Sequence, residues 1–77
     1  MDANTLREAL RKQPFKPFVI RLADGRQFDV PHPDFVAVSQ RTVVVISPQT
    51  EGVSVLEPLL IISLEMAGGD AQAKSQA

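Results

Sequence analysis

The spacing of apolar residues changes period early in this chain. Over residues 2–13, Ala3, Leu6 and Leu10 fall on one face of a helix, and Glu8 and Lys12 stand four residues apart on the exposed side. Thr5 with Glu8 fits a capping box, and Asp2 is a competing N-cap one turn earlier. Pro14 ends the helix, because a proline disfavours helical backbone at the residue before it. A helix this short with two leucines is not stable in isolation and must dock on something else. Pro14-Phe15-Lys16-Pro17 is a stiffened connection in which Phe15 acts as an anchor to the core.

From Phe18 the period falls to two. Phe18, Ile20 and Leu22 alternate with Val19, Arg21 and Ala23, and Phe28 and Val30 continue the pattern after the turn residues Asp24 and Gly25. A two-residue turn sets Phe28 opposite Arg21. A three-residue loop or bulge is expected to pair Leu22 with Phe28, Ile20 with Val30 and Arg21 with Asp29. Burial favours the second register, which keeps the apolar set on one face, and turn chemistry favours the first. Pro31-His32-Pro33-Asp34 interrupts, since proline gives no donor to a ladder. Strand character returns over Phe35–Val38, Thr42–Ile46, Val53–Leu56 and Leu60–Met66, with a short turn at Ser39-Gln40-Arg41, a loop over residues 48–52 and a corner at Glu57-Pro58.

The connections are too short for parallel crossovers, so the sheet is expected to be antiparallel. The fold class is mostly β with one N-terminal helix: a small five-stranded antiparallel barrel, capped by the helix. It occupies residues 1–66, and residues 67–77, small and polar, are expected to form a disordered tail.

Composition sharpens this picture at one point. Between Pro14 and Met66, 23 of 53 residues are Val, Ile, Leu, Phe or Met, and both faces of the Thr42–Ile46 and Leu59–Ile62 segments are apolar. A half-wet antiparallel sheet should alternate, and a domain of about 60 residues buries only about 60% of its unfolded surface. Self-association through strand edges is the expected outlet for that surplus, with Val53, Val55, Ile61, Ile62 and Leu64 as the subunit-interface residues. The alternative is a tightly wrapped barrel that buries both faces in turn. The net charge of -1 conceals an asymmetry. Residues 1–27 carry six basic and three acidic side chains, and residues 28–77 carry two basic and six acidic ones. Arg7, Arg11, Lys12 and Lys16 are the nucleic-acid candidates on the basic portion, and a solvated helix face is the simpler use of them.

The series Phe18-x-Ile20-x-Leu22-x-Asp24-Gly25-Arg26-x-Phe28, following a short helix and leading into short β segments, resembles the first motif of the Sm-like superfamily, which includes the Hfq-type bacterial RNA chaperones. The resemblance extends over residues 2–66. It implies a helix-capped, strongly bent five-stranded antiparallel barrel of Sm-like or SH3-like type, and rings of six or seven subunits in which the fourth strand of one subunit pairs with the fifth of the next. Other positions depart from the family pattern. Val30 stands where a glycine is expected, Pro31-His32-Pro33 is foreign to the motif, and no Asn between Asp34 and Thr42 matches the base-contacting one. Glu57-Pro58-Leu59 replaces the basic second motif, so the family's RNA pocket does not carry over. The chain also resembles small bacterial proteins with a Pro-Phe-x-Pro-Phe start and an Asp-Gly-Arg turn, a likeness that supplies no function.

Enzyme chemistry is not expected. His32 is the sole imidazole, cysteine is absent, no Gly-x-Ser-x-Gly elbow or phosphate-cradling loop occurs, and the carboxylates are scattered. One histidine cannot build a structural zinc site within one chain, and its expected role is that of a rigid loop residue. A ring could bring several copies of His32 together, but no metal or cofactor is assigned. No apolar run approaches the roughly 18–20 residues that cross a bilayer; the one from Leu59 to Ile62 has four. A soluble cytoplasmic protein without membrane partners is the expectation. The sequence therefore points to a homo-oligomeric binding or scaffolding module. Its alternatives are an RNA-binding protein that uses the basic helix and an adaptor that offers strand edges to a protein partner. With four phenylalanines as the only aromatics, base stacking has little to work with.

Overall fold

Asp2 settles how the chain begins. Its Oδ1 accepts a hydrogen bond from the Asn4 amide at 3.1 Å, and helix α1 runs Ala3–Arg11. Asp2 is thus the cap, and the Thr5–Glu8 box is not used. The helix stops two residues short of Gln13, with Lys12 already extended. Ala3 and Leu6 are buried, and Leu10 packs against the core from a half-buried position. The computed structural model describes residues 1–66; the expected tail over residues 67–77 lies outside them.

Six strands follow rather than five: β1 Phe18–Leu22, β2 Gln27–Val30, β3 Val36–Val38, β4 Val43–Ile46, β5 Val53–Leu56 and β6 Ile61–Met66. All pairings are antiparallel, as the short connections require. They form two three-stranded sheets, ordered β2-β1-β6 and β3-β4-β5, and no ladder joins one to the other among the described residues. One core lies between them. It takes Phe18, Ile20, Leu22, Val30 and Ile61 from the first sheet, Val43, Val45 and Leu56 from the second, and Leu6 from the helix.

The two proline-led breaks are where the chain changes sheets. Pro33–Phe35 forms a 3-10 turn between β2 and β3, and Pro58–Leu60 forms another between β5 and β6. Each opens with proline, whose missing N–H costs nothing at the first helical position. The interruption at Pro31-His32-Pro33-Asp34 therefore separates two strands that belong to opposite layers.

The β1–β2 hairpin corrects both expected registers. Phe18 faces Val30, Ile20 faces Phe28, and Arg21 faces Gln27. The loop has three residues, Ala23-Asp24-Gly25. The Leu22 carbonyl accepts from the Gly25 amide at 3.0 Å, and the Leu22 amide donates to the Arg26 carbonyl at 2.9 Å. Gly25 sits at φ 94°, as a three-residue hairpin with a glycine bulge demands. The apolar set stays on one face, as burial requires, but the strands slide by two residues from the pairing expected for such a loop. Gly25→Ala is expected to cost about 1 kcal/mol through backbone strain alone, because an added Cβ meets nothing within 4 Å. Chemical denaturation reads that loss, and an unchanged midpoint would refute it.

Candidate subunit interface and basic face

The two sheets present unlike outer faces. On β2-β1-β6, Gln27, Arg21 and Ser63 lie in one row and Asp29, Val19 and Glu65 in the next. Arg21 Nε donates to Glu65 Oε2 at 2.8 Å across this largely polar face. On β3-β4-β5, the outward rows are Ala37, Val44 and Val55, and Ile46 with Val53. The second face is aliphatic throughout, while the alternate residues Val43, Val45 and Leu56 are committed to the core. Val53 and Val55 are 63% and 69% exposed. They stand on β5, an edge strand with no strand partner on its outer side among the described residues.

The other edge that ends in exposed aliphatics is β6. Ile61 pairs with Leu22 and Ser63 with Arg21, leaving Ile62 as the extra residue of a bulge. That bulge sends neighbouring isoleucines in opposite directions: Ile61 is buried in the core and Ile62 is 59% exposed. Of the five interface residues expected from sequence, Val53, Val55 and Ile62 are therefore open. Ile61 is corrected to a core residue, and Leu64, opposite Ile20, is half-buried against the core. The residue that sequence reasoning missed is Leu59, 83% exposed. It belongs to the 3-10 turn after β5, where a period of three replaces the strand period of two.

Compared with protein-family models, curated proteins and solved structures, the chain matches none of them. Its reading thus rests on the residues themselves.

The four basic candidates separate. Arg7 Nη1 donates to Asn4 Oδ1 at 2.6 Å and is half-buried. Arg11, Lys12 and Lys16 are exposed near the end of α1, and none of them forms an ion pair with a described residue. Glu8 and Lys12, four residues apart on the helix, form no ion pair with each other. The phenylalanines offer no open platform: Phe18 is buried and Phe15, Phe28 and Phe35 are half-buried. Phe15 lies 5.9 Å from Phe18 and 6.4 Å from the His32 ring, so the linker is anchored as expected. His32 Nδ1 accepts from the Asp34 amide at 3.2 Å and caps the first 3-10 turn. Among the described residues, no group of three or more His, Cys, Asp or Glu side chains is placed to hold a metal ion. No helix among them is long and apolar enough to cross a membrane.

Asp24 has a turn-fixing task. Its Oδ1 accepts from the Arg26 amide at 3.1 Å and its Oδ2 from Arg26 Nε at 2.8 Å. The amide bond first, and the guanidinium with it, hold its carboxyl below the usual 3.8. A group whose folded pKa is depressed stabilises the fold above its unfolded value and loses that contribution as pH falls through the folded one. Asp24→Asn retains an Oδ1 acceptor for the amide. Its melting temperature is expected to lie below the parent's at pH 6 and to converge with it toward pH 2. A gap that stays constant over that range would refute the assignment.

Proposed function

We propose that the chain is a non-enzymatic subunit of a small homo-oligomer, a binding or scaffolding module of Sm-like type. The observation that carries this is the exposure of Val53, Val55 and Ile62 on two edge strands that have no strand partner on their outer sides among the described residues. Open edges with aliphatic side chains invite pairing with another chain, and soluble monomers cover or charge them. Here β5 carries no charge between Val53 and Leu56, and the one charge on β6, Glu65, is engaged with Arg21 on the face of the sheet. The reading takes the two sheets as halves of a strongly bent barrel and joins neighbours through their last two strands, β5 of one to β6 of the next. Two different edges meeting in this way build a ring when the rotation closes. Size exclusion with light scattering at micromolar concentration tests it. Several multiples of the 8.4 kDa chain are expected, and a clean monomer would overturn the reading.

A second reading rests on the exposed charges of Arg11, Lys12 and Lys16, none of which forms an ion pair with a described residue: contact with the RNA backbone, without base reading. Binding of U-rich and A-rich single strands alike, falling steeply with salt, is its expected signature. Absence of binding at low salt would remove it.

A further inference from the structure

The strands of the sheet β3-β4-β5 read Val-Ala-Val, Val-Val-Val-Ile and Val-Ser-Val-Leu, without one charged residue. Their single polar side chain, Ser54, stands opposite Val45 in an inward row. The outward rows are left wholly aliphatic: Ala37, Val44 and Val55 in one, Ile46 and Val53 in the other. An antiparallel sheet with a solvated face carries polar residues at those alternate positions, as the first sheet does with Arg21 and Glu65. A contiguous aliphatic face rimmed by charge marks an interaction surface. We propose that this face packs against the same face of a second copy, as the two layers of a sandwich related by a two-fold axis. The contact goes beyond the strand-edge joint, because it uses the side chains of one sheet face and makes no use of the backbone at the edges of β5 and β6.

The charged rim fixes how the two copies lie. At one end of the sheet are Arg41, in the turn between β3 and β4, and Glu57, just after β5. At the other end are Asp34, just before β3, and Glu51, between β4 and β5. All four are exposed. Asp34 lies 3.5 Å from His32 Nδ1, and the other three form no ion pair with a described residue. A two-fold axis along the strands stacks each end on its own copy and sets Asp34 and Glu51 of one chain over Asp34 and Glu51 of the next. An axis across the strands exchanges the ends, so that Arg41 of each copy faces the Asp34–Glu51 end of the other. Like charges juxtaposed across an interface are costly, and complementary ones fix its register. The second arrangement is therefore the one assigned. It also exchanges the two outward rows, so that Val44 meets Ile46 and Val55 meets Val53 across the spacing of about 10 Å that separates packed sheets. Such an isologous contact closes at two copies.

The test uses the full chain, with thermal unfolding by circular dichroism as a check on folding. Three short strands make a small contact, so sedimentation equilibrium is followed over a dilution series that reaches about 1 mM. Ala37→Glu places a charge on the face from β3, at the opposite edge of the sheet from β5, and is expected to weaken association about tenfold or more. Gln27→Glu adds the same charge to the outer face of the first sheet and should leave association within about twofold. Arg41→Glu and Glu51→Arg, made singly, should each weaken it about fivefold, and the variant carrying both, with the charges exchanged, should return to within about threefold of the parent. Glu51 already holds φ 61°, so arginine there meets the same backbone demand. Ile62→Lys changes β6 in the other sheet and should leave a species of twice 8.4 kDa at the top of the series. The proposal is overturned if the parent or Ile62→Lys stays monomeric throughout, if Ala37→Glu associates like the parent, or if the exchanged variant associates no better than the single ones. Failure of the strand-edge reading looks different: the parent then stops at two copies, and Ile62→Lys leaves its mass unchanged.

Discussion

Phe18→Ala is expected to leave the domain largely unfolded at 37 °C. Phe18 is 1% exposed on β1, the central strand of its sheet, between Val30 on β2 and Met66 on β6. Its ring lies 5.9 Å from that of Phe15, so truncation also frees the linker that ties the helix to the sheets. Loss of a buried phenylalanine side chain costs about 3–5 kcal/mol, of which the cavity left behind is part. Domains carry about 0.05–0.15 kcal/mol of stability per residue, or roughly 3–10 kcal/mol for a core of this size. The loss is therefore comparable with the whole. Thermal unfolding by circular dichroism should show a fall of roughly 15–30 °C or no cooperative transition. A fall of less than about 5 °C would mean that the two sheets do not share this residue as their common support.

Val55→Lys with Ile62→Lys should act in the opposite sense, dispersing the assembly and sparing the fold. Both side chains are already more than half exposed in the single chain, so replacing them touches little of the folded interior. Substitutions of that kind usually change stability by less than about 0.5 kcal/mol. In an oligomer joined through β5 and β6, each would be a buried apolar contact worth about 1.5–3 kcal/mol. Removing two such contacts per joint, and placing charges on the edges, should weaken association by at least about a hundredfold. Light scattering should then report a chain near 8.4 kDa, with a melting temperature that no longer rises with protein concentration. An assembly of unchanged mass would place the interface elsewhere on the surface.

How much of this was legible in the sequence depends on the range of the forces concerned. The helix, its end before Pro14 and the hairpin at Asp24-Gly25 are written in local chemistry, and they appear where that chemistry puts them. The hairpin register was only half legible. Parity follows from the alternation of Phe18, Ile20 and Leu22, but the loop recruits Ala23, which carries no turn signal of its own. The division into two sheets was not legible, because it depends on β1 pairing with β6, more than forty residues away. Pro31-His32-Pro33 marked a break without revealing that the chain leaves one layer for the other there. The Leu59–Ile62 run was ambiguous for a related reason. Its four residues span a 3-10 turn and the start of a bulged strand, so neither period assigns Ile61 inward and Ile62 outward. Exposure of Val53 and Val55, by contrast, could be anticipated from too many aliphatics in too short a chain.

The two proline-led corners have a geometric consequence beyond ending strands. Pro33–Phe35 and Pro58–Leu60 join one sheet to the other, so they set the angle at which β5 and β6 leave the molecule. In a chain of copies linked through those strands, that angle is the rotation from each copy to the next. A small change at either corner would accumulate around the assembly and emerge as a different number of members, or as an open helix that never meets its own start. In such an assembly the corners would serve as its protractor, and substitutions there would register in particle size before they registered in stability.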